Sequence, residues 1–397
     1  MERATDTNAG EKQGASIMRL IFDARPETLY PLGKDGFSGG SQVYIKAITE
    51  GLASHGHEVH VITNDLELDE RRSDNLWYWP PTYFPHSADI AIMQMHAQPN
   101  PEYMAPIAIL MTSCTDPWLG PDNQFADSFD AISCFSETHK NLLCKMRPVK
   151  PDKCWITGLG VDLWEYSSGA TRISDDVLDF HQSHIAKVPG RMLYANDPAR
   201  GLFYVLDIFD IVKQQIPEVT LHVAYNFDQQ LEWRKWEHSH MAQMLWYCKQ
   251  RIESTPGIVN LGALTREQII KEELECQVHC MPSNPPGIGT QTHGLTQMEC
   301  AAAGAALVLS DIEAFPEVFG EAATILPVIG KYEQALERRI TAADYAEVVV
   351  DLMKDSDKWL EASHKARVLA EKNTWSIVVD NWKAMLTKLV RELQNVS

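Results

Sequence analysis

An α/β protein made of two doubly wound parallel-sheet units in tandem is what this sequence predicts. Short apolar runs alternate with amphipathic stretches along almost the whole chain. That is the pattern of buried parallel strands covered on both faces by helices. The alternation breaks once, in a polar stretch at 167–188, and then starts again, as it does where one domain gives way to the next. The 397 residues suffice for two domains, each with its own core.

The elements follow in order. Residues 1–16 are polar and charged and are expected to form a disordered extension, with no apolar segment of a secretory leader. The first domain spans 17–166. It opens on Ile17-Met18-Arg19-Leu20-Ile21-Phe22, a buried strand ending at Asp23. A glycine-rich loop leads to a helix over 41–54, with Val43, Ala47, Ile48 and Leu52 on one face and Gly56 as its stop. Strands are predicted at 58–63, 89–93, 107–111 and 131–133, and a variable loop at 66–85. The second domain, 189–372, repeats the scheme: strand 191–194, helix 201–215, strand 219–224, a longer helical segment over 231–251, and strand 258–261. A helix at 266–274 and strands at 278–281 and 306–309 follow, then helices to the end. Trp233, Trp236 and Trp246 in the longer segment are read as core or lid packing. His238-Ser239-His240 is read as solvated surface, because neighbours two apart on a helix do not converge on one ligand.

Bulk chemistry narrows the function classes. A net charge of −19 argues against nucleic acid as a partner, since phosphates demand a concentrated basic face. It also weighs against broad attachment to an anionic membrane, while leaving room for a local basic patch. No apolar run is long enough to cross a bilayer. The eight cysteines lack framework spacing and read as reduced thiols of a cytoplasmic protein. Cys276 and Cys280 have no histidine pair to complete a zinc site. Asp355-Ser356-Asp357 falls between late helices, where capping is the expected role, so no metal is expected.

The most informative stretch runs from Thr290 through Gln291-Thr292-His293-Gly294-Leu295 to Glu299 and Gly304. A polar turn passes straight into a small-residue helix whose bare N–H groups, aided by the dipole, suit phosphates. Glu299, about a turn inside, is an acceptor for sugar hydroxyls lying just beyond. Gly39-Gly40 would bring a second set of helix-start amides to face the first. These glycines are not the dinucleotide fingerprint, and Thr63-Asn64 stands where a nicotinamide enzyme would carry an acidic residue. Arg200, after Asn196, sits at a strand-to-helix junction where the dipole disfavours a cation, and its guanidinium suits diphosphate oxygens.

In these residues the chain resembles the retaining glycosyltransferases of family 4, which have the GT-B twin-Rossmann fold. The resemblance runs from Ile17 to about Leu386 and rests on landmarks in the right order. They include Gly39-Gly40, His55-Gly56-His57-Glu58-Val59, Gly160-Val161-Asp162, Arg200-Gly201-Leu202, Leu261-Gly262-Ala263-Leu264, Gly294-Leu295, Glu299, Phe315-Pro316-Glu317 and Asn373-Thr374-Trp375-Ser376. The resemblance implies a C-terminal helix, within 373–397, that crosses back to the first domain. It also implies that Glu299 holds the nucleotide ribose, that Arg200 and the Gly294 amides hold the diphosphate, and that the base lies against backbone near Leu264. Gln291 stands where the family has a glutamate beside the donor sugar. Ala195 stands at the family's arginine, and Thr115, next to Asp116, at its histidine. His96, at the end of the preceding strand, is a candidate to approach the same place.

The implied reaction moves a sugar from a nucleoside diphosphate donor to a hydroxyl of a carbohydrate, lipid or small-molecule acceptor, with retention and without a metal or other cofactor. Gln291, Thr115, Asp116 and His96 are the candidate catalytic residues. Gly39, Gly40, Asn196, Arg200, Leu264, Thr292, His293, Gly294, Leu295 and Glu299 are the candidate donor-binding residues. The competing reading is a protein that binds a sugar nucleotide, or serves as a scaffold, without turnover.

Overall fold

The computed structural model describes residues 17–25, 39–96, 99–114, 128–147, 149–167, 171–174, 177–179, 187–233, 240–283, 291–333 and 338–396. The expected extension at 1–16, Thr115, Asp116, Trp236 and His238-Ser239 lie outside these residues, as does most of the predicted 167–188 connection.

The first lobe is an eight-stranded sheet. Its strands are β1 (Arg19–Asp23), β2 (Glu58–Ile62), β3 (Glu70–Ser73), β4 (Leu76–Trp79), β5 (Ile90–Gln94), β6 (Ile107–Met111), β7 (Ala131–Cys134) and β8 (Cys154–Ile156). Their order is β3-β4-β2-β1-β5-β6-β7-β8, parallel throughout except for the β3–β4 pair. Every residue of β5 and β7 is buried, as both faces of a parallel sheet require. Helix α1 (Gly40–Ser54) follows β1, and α2 (Glu137–Met146) follows β7. A short antiparallel pair, β9 (Thr171–Ser174) and β10 (Val177–Asp179), lies in the connection.

The second sheet contains β11 (Arg191–Tyr194), β12 (Thr220–Val223), β13 (Ile258–Asn260), β14 (Val278–Met281), β15 (Ala306–Ser310) and β16 (Ala323–Leu326). Its order, β13-β12-β11-β14-β15-β16, is the doubly wound dinucleotide-fold order with all pairs parallel. Its helices are α3 (Leu202–Gln215), α4 (Phe227–Trp233), α5 (His240–Ser254), α6 (Arg266–Glu275), α7 (Leu295–Ala302), α8 (Phe315–Phe319), α9 (Ala342–Lys354) and α10 (Ser356–Glu371). A two-stranded pair, β17 (Tyr332–Glu333) and β18 (Arg338–Arg339), precedes α9. The switch points, where strand order reverses, fall between β1 and β5 in one sheet and between β11 and β14 in the other. Ligands of such sheets bind beyond the carboxyl ends of those strands.

The last helix, α11 (Trp375–Val396), belongs to the first lobe's core. Val378, Val379, Trp382, Met385 and Leu386 pack with Tyr44, Ile45, Ile48 and Leu52 of α1. The chain therefore crosses between lobes twice, and the crossings pair: Val161 N–H donates to Asn373 O at 2.9 Å and Trp375 N–H to Val161 O at 3.3 Å. Gly160 permits this approach, because a Cβ there would lie 2.6 Å from the Thr374 carbonyl carbon.

Several sequence expectations change. The predicted loop at 66–85 contains β3 and β4, whose residues Leu76 and Tyr78 are buried. Three aromatic residues in the strand beside the edge read as loop because charged neighbours interrupt the apolar run. Strands β8 and β16 were hidden by their shortness and by β16's half-exposed pattern. Trp246 is 59% exposed, so it is neither core nor buried lid, and the side chains of Trp233 and Trp236 lie outside the described residues. His240 begins α5, and the carboxylate of Asp355 caps α10 by accepting from the N–H groups of Asp357 and Lys358. Among the described residues no helix is long and apolar enough to cross a membrane.

Candidate functional site

A cleft of about 400 Å³ opens between the lobes at the second sheet's switch point. Gly39, Gly40, Asn196, Arg200, Leu264, Gln291, Thr292, His293, Gly294, Leu295 and Glu299 all line it. Thr115 and Asp116 lie outside the described residues. His96 is not among the cleft's lining residues. Its ring nitrogen sits 3.3 Å from Asp23 at the first sheet's switch point. There burial opposes ionisation of Asp23, but bonds from Arg25, His96 and Tyr103 outweigh it and hold the carboxyl well below its usual range.

Two helix starts meet at the cleft. Gly294 opens α7 at φ +123°, and no side chain caps that helix. Its first-turn amides are therefore available to an anion. A Cβ at Gly294 would lie 2.7 Å from the Gln297 side-chain oxygen and 3.1 Å from Phe315 and Phe319, so both conformation and space demand glycine. Helix α1 also begins without a side-chain cap, at Gly39. The two starts are close: a Cβ on Gly40 would be 3.5 Å from Leu295.

Arg200 ends a 3-10 turn, Pro198–Arg200, which Asp197 caps by accepting from Ala199 N–H at 2.9 Å. From there Nη1 of Arg200 donates to Oε1 of Gln291 at 3.2 Å. The other end of that amide, Nε2, donates to Ser283 Oγ at 3.1 Å. An amide is what this place accommodates, since it accepts at one end and donates at the other. A carboxylate comes in from elsewhere: Glu313 accepts the backbone N–H of Gln291. Glu313 is a non-glycine residue at φ +46°, in the sparsely populated left-handed region.

The α6 side of the cleft is a partly buried charge cluster. Glu299 is ion-paired with Arg266, which lies at the first position of α6 and also binds Glu165. Nη2 of Arg266 additionally donates to Tyr166 Oη at 3.2 Å, and Tyr166 donates to Glu273 Oε2 at 2.7 Å. Burial pushes the Glu299 carboxyl up, and Arg266 opposes that rise. Burial, reinforced by the charge of Glu299, drives Glu273 well above the ordinary carboxylate range. Its Oε1 has no hydrogen-bond partner among the described residues. Burial, with a smaller push from His139 and opposed by Glu317, lowers His293 to about 4, and its Nδ1 has no hydrogen-bond partner among the described residues.

The turn 291–294 is bolted to the first lobe. Ser136 Oγ donates to Thr292 O at 2.8 Å, and Thr292 Oγ1 donates to Ser113 O at 2.9 Å. Glu317 of α8 receives the first-turn amides of α2, Glu137 N–H at 2.9 Å and Thr138 N–H at 2.8 Å. Burial alone would raise the Glu317 carboxyl, but these bonds overrule it and lower it. Glu317→Ala should cost about 1–2 kcal/mol, the worth of a lost helix cap. It should also loosen the lobes, seen as a larger radius of gyration in small-angle scattering. Unchanged scattering and unchanged denaturant melting would show that the bolt carries no load.

Arg266, Glu165, Glu273, Glu313 and Glu317 were not singled out as site residues from the sequence. One signal was there for Arg266. It follows Thr265, which forms a capping box with Gln268, so it is a cation at a helix start. The same misfit marks Arg200.

No family model matches the chain, and no curated protein matches it in sequence. Solved structures do match in fold. The sucrose-phosphate synthase of Thermosynechococcus elongatus superposes with a TM-score of 0.66 at 12% identity, over 96% of this chain and all (100%) of that one. HepE of Anabaena, solved in complex with UDP and glucose, gives 0.62 at 12% identity over 94% and 100%. WaaG, a glycosyltransferase involved in lipopolysaccharide biosynthesis, gives 0.60 at 12% identity over 92% and 99%. The chain has the GT-B fold of these glycosyltransferases, two parallel-sheet lobes facing across a cleft.

Proposed function

We propose that this protein transfers a sugar from a nucleoside diphosphate donor to an acceptor hydroxyl. The observation that carries the reading is the meeting of three groups in one cleft: the uncapped start of α7 at Gly294, the Arg200 guanidinium, and the buried Glu299 carboxylate. The first two suit a diphosphate, and the third suits ribose hydroxyls. Negative charge grows on the departing diphosphate in the transition state, where fixed amides and a guanidinium act most strongly. Because these groups take that charge, the proposed reaction needs no divalent metal, and a chelator should leave its rate unchanged.

Retention of anomeric configuration is the finer part of the proposal. With its pKa held near 4, His293 is a feeble base at neutral pH. That suits a front-side reaction in which a leaving phosphate oxygen takes the acceptor's proton.

Millimolar UDP, GDP or ADP should raise the melting temperature, since a ligand bound only by the native state stabilises it. Arg200→Ala and Glu299→Ala should each weaken binding about tenfold or more, as expected when a charged hydrogen-bonding partner is removed. A melting curve indifferent to all three nucleotides would end this reading. Gln291, whose amide is tied to Arg200 and Ser283, keeps a second reading open, a protein that binds sugar nucleotides without turnover. Slow hydrolysis of the donor by wild type but not by Arg200→Ala separates the two.

A further inference from the structure

We propose that Arg266 is the positioning residue of the nucleoside end of the cleft, holding Glu299 ionised and oriented so that one carboxylate oxygen remains for the ribose hydroxyls. The inference rests on the donor-site reading above and deepens it.

The cation sits where chain geometry alone would not put one. Arg266 is the first residue of α6, whose positive dipole end repels it. Its side chain is one-quarter exposed, and it lines the cleft. It stays because acceptors surround it: Nε donates to both Glu165 oxygens at 3.2 and 3.1 Å, Nη2 reaches Glu165 and Tyr166, and Nη1 reaches Oε1 of Glu299. The planar fork is thereby fixed from the 3-10 turn Leu163–Tyr166, which follows the first lobe-to-lobe crossing. With its orientation set, Arg266 engages a single oxygen of Glu299, and no described group is bonded to Oε2. A lysine would supply the charge but not the rigid multi-point hold.

The titratable groups facing Glu299 are Arg266 and Glu273 from α6, Glu165 and Tyr166 from the turn, and the neighbouring Cys300 thiol. Apart from Arg266, every one of them is an acid, a phenol or a thiol. Removing Arg266 therefore leaves a buried carboxylate among acids, where it takes up a proton and no longer accepts both ribose hydroxyls.

The test uses the full-length protein and calorimetric binding of UDP, GDP and ADP beside their 2′-deoxy counterparts. Wild type should favour the ribonucleotide at neutral pH, where Arg266 opposes the burial that raises the Glu299 carboxyl. Arg266→Met should bind the ribonucleotide about tenfold more weakly and lose most of its preference over the deoxynucleotide, with the deficit deepening as pH falls. Arg266→Lys should recover the wild-type pH profile but only part of the affinity. If Arg266→Met does not fold, Arg266→Gln, which keeps a donor and loses the charge, takes its place. Unchanged ribose preference and pH profile in the variant, with wild type binding normally, would overturn the role of Arg266 alone. Tighter binding by the variant would show instead that Arg266 competes with the ribose for Glu299. Failure of wild type to bind any of the nucleotides would overturn the donor-site reading itself.

Discussion

Stability should fall steeply as the pH drops from about 6.5 to about 4, because three buried histidines must stay neutral for the fold to hold together. Burial lowers His139, His279 and His293 from 6.5 to about 4 each. The N–H donors facing the first two agree with that direction, while the carbonyl at each ring's other nitrogen opposes it. His139 accepts the Phe135 N–H on Nδ1 at 3.1 Å while its Nε2 lies 3.1 Å from Cys114 O. His279 sets Nδ1 3.1 Å from Leu193 O and receives the Gln297 amide on Nε2 at 3.3 Å. A second ring proton would in each case meet an N–H already pointing at that nitrogen.

The sign follows from linkage. These groups bind fewer protons folded than unfolded, so their contribution is intact above 6.5 and drains away as the pH approaches 4. A shift of that size corresponds to at most about 3 kcal/mol for each ring. The raised carboxyls of Glu50, Asp162, Glu273, Glu299 and Glu313 act in the opposite direction, since they bind protons more readily folded than unfolded. The lowered carboxyls of Asp23 and Asp344 act with the rings. Urea melts at pH about 7 and about 5 should differ by several kcal/mol. Substituting Gln at both 139 and 279 should flatten the profile while lowering stability at neutral pH. Equal midpoints for wild type at the two pH values would refute the account.

Those histidines also show what a sequence can and cannot disclose. The architecture was legible because parallel strands buried on both faces leave uninterrupted apolar runs, as at Ile107–Met111 and Ala306–Ser310. The end of the cleft that holds Gly294 and Arg200 was legible for a related reason. Gly294 and Arg200 act from positions fixed by local chain chemistry, a helix start and a strand-to-helix turn. The end around Glu299 was not. Arg266, Glu165 and Glu273 are brought to Glu299 by packing between segments 33, 101 and 107 residues apart in the pairs that join them, and such proximity leaves no periodic trace. Strands β3 and β4 were missed because β3, at the sheet's edge, is charged and unburied, and β4 beside it is only half buried. Glu313 is a further case: nothing in the letters announces a left-handed glutamate, and only the backbone shows it.

Trp382→Ala should be the most damaging single substitution away from the cleft, costing about 4 kcal/mol. The indole is fully buried, in a helix that returns from the far end of the chain to complete the first lobe. Its Nε1–H donates to Tyr44 Oη at 2.8 Å, and Tyr44 lies 3.1 Å from Thr157 Oγ1, itself 2.7 Å from Ser133 Oγ. One side chain thus closes a polar chain joining α11, α1 and the ends of β7 and β8 inside an apolar core. Truncation removes the ring's packing against Phe22, 6.2 Å away between centroids, opens a cavity, and deprives the Tyr44 oxygen of its donor. Trp382→Phe separates the two contributions, keeping most of the packing and losing the hydrogen bond, for about 1 kcal/mol. Because α11 follows the second crossing directly at Val161–Asn373, loosening it should also free the lobes to move. Nucleotide affinity should therefore fall in the alanine variant even though residue 382 is not among those lining the cleft. Denaturant melts paired with calorimetric nucleotide binding check both effects. A stability loss with undiminished affinity would show that α11 supports the first lobe's core without governing the cleft.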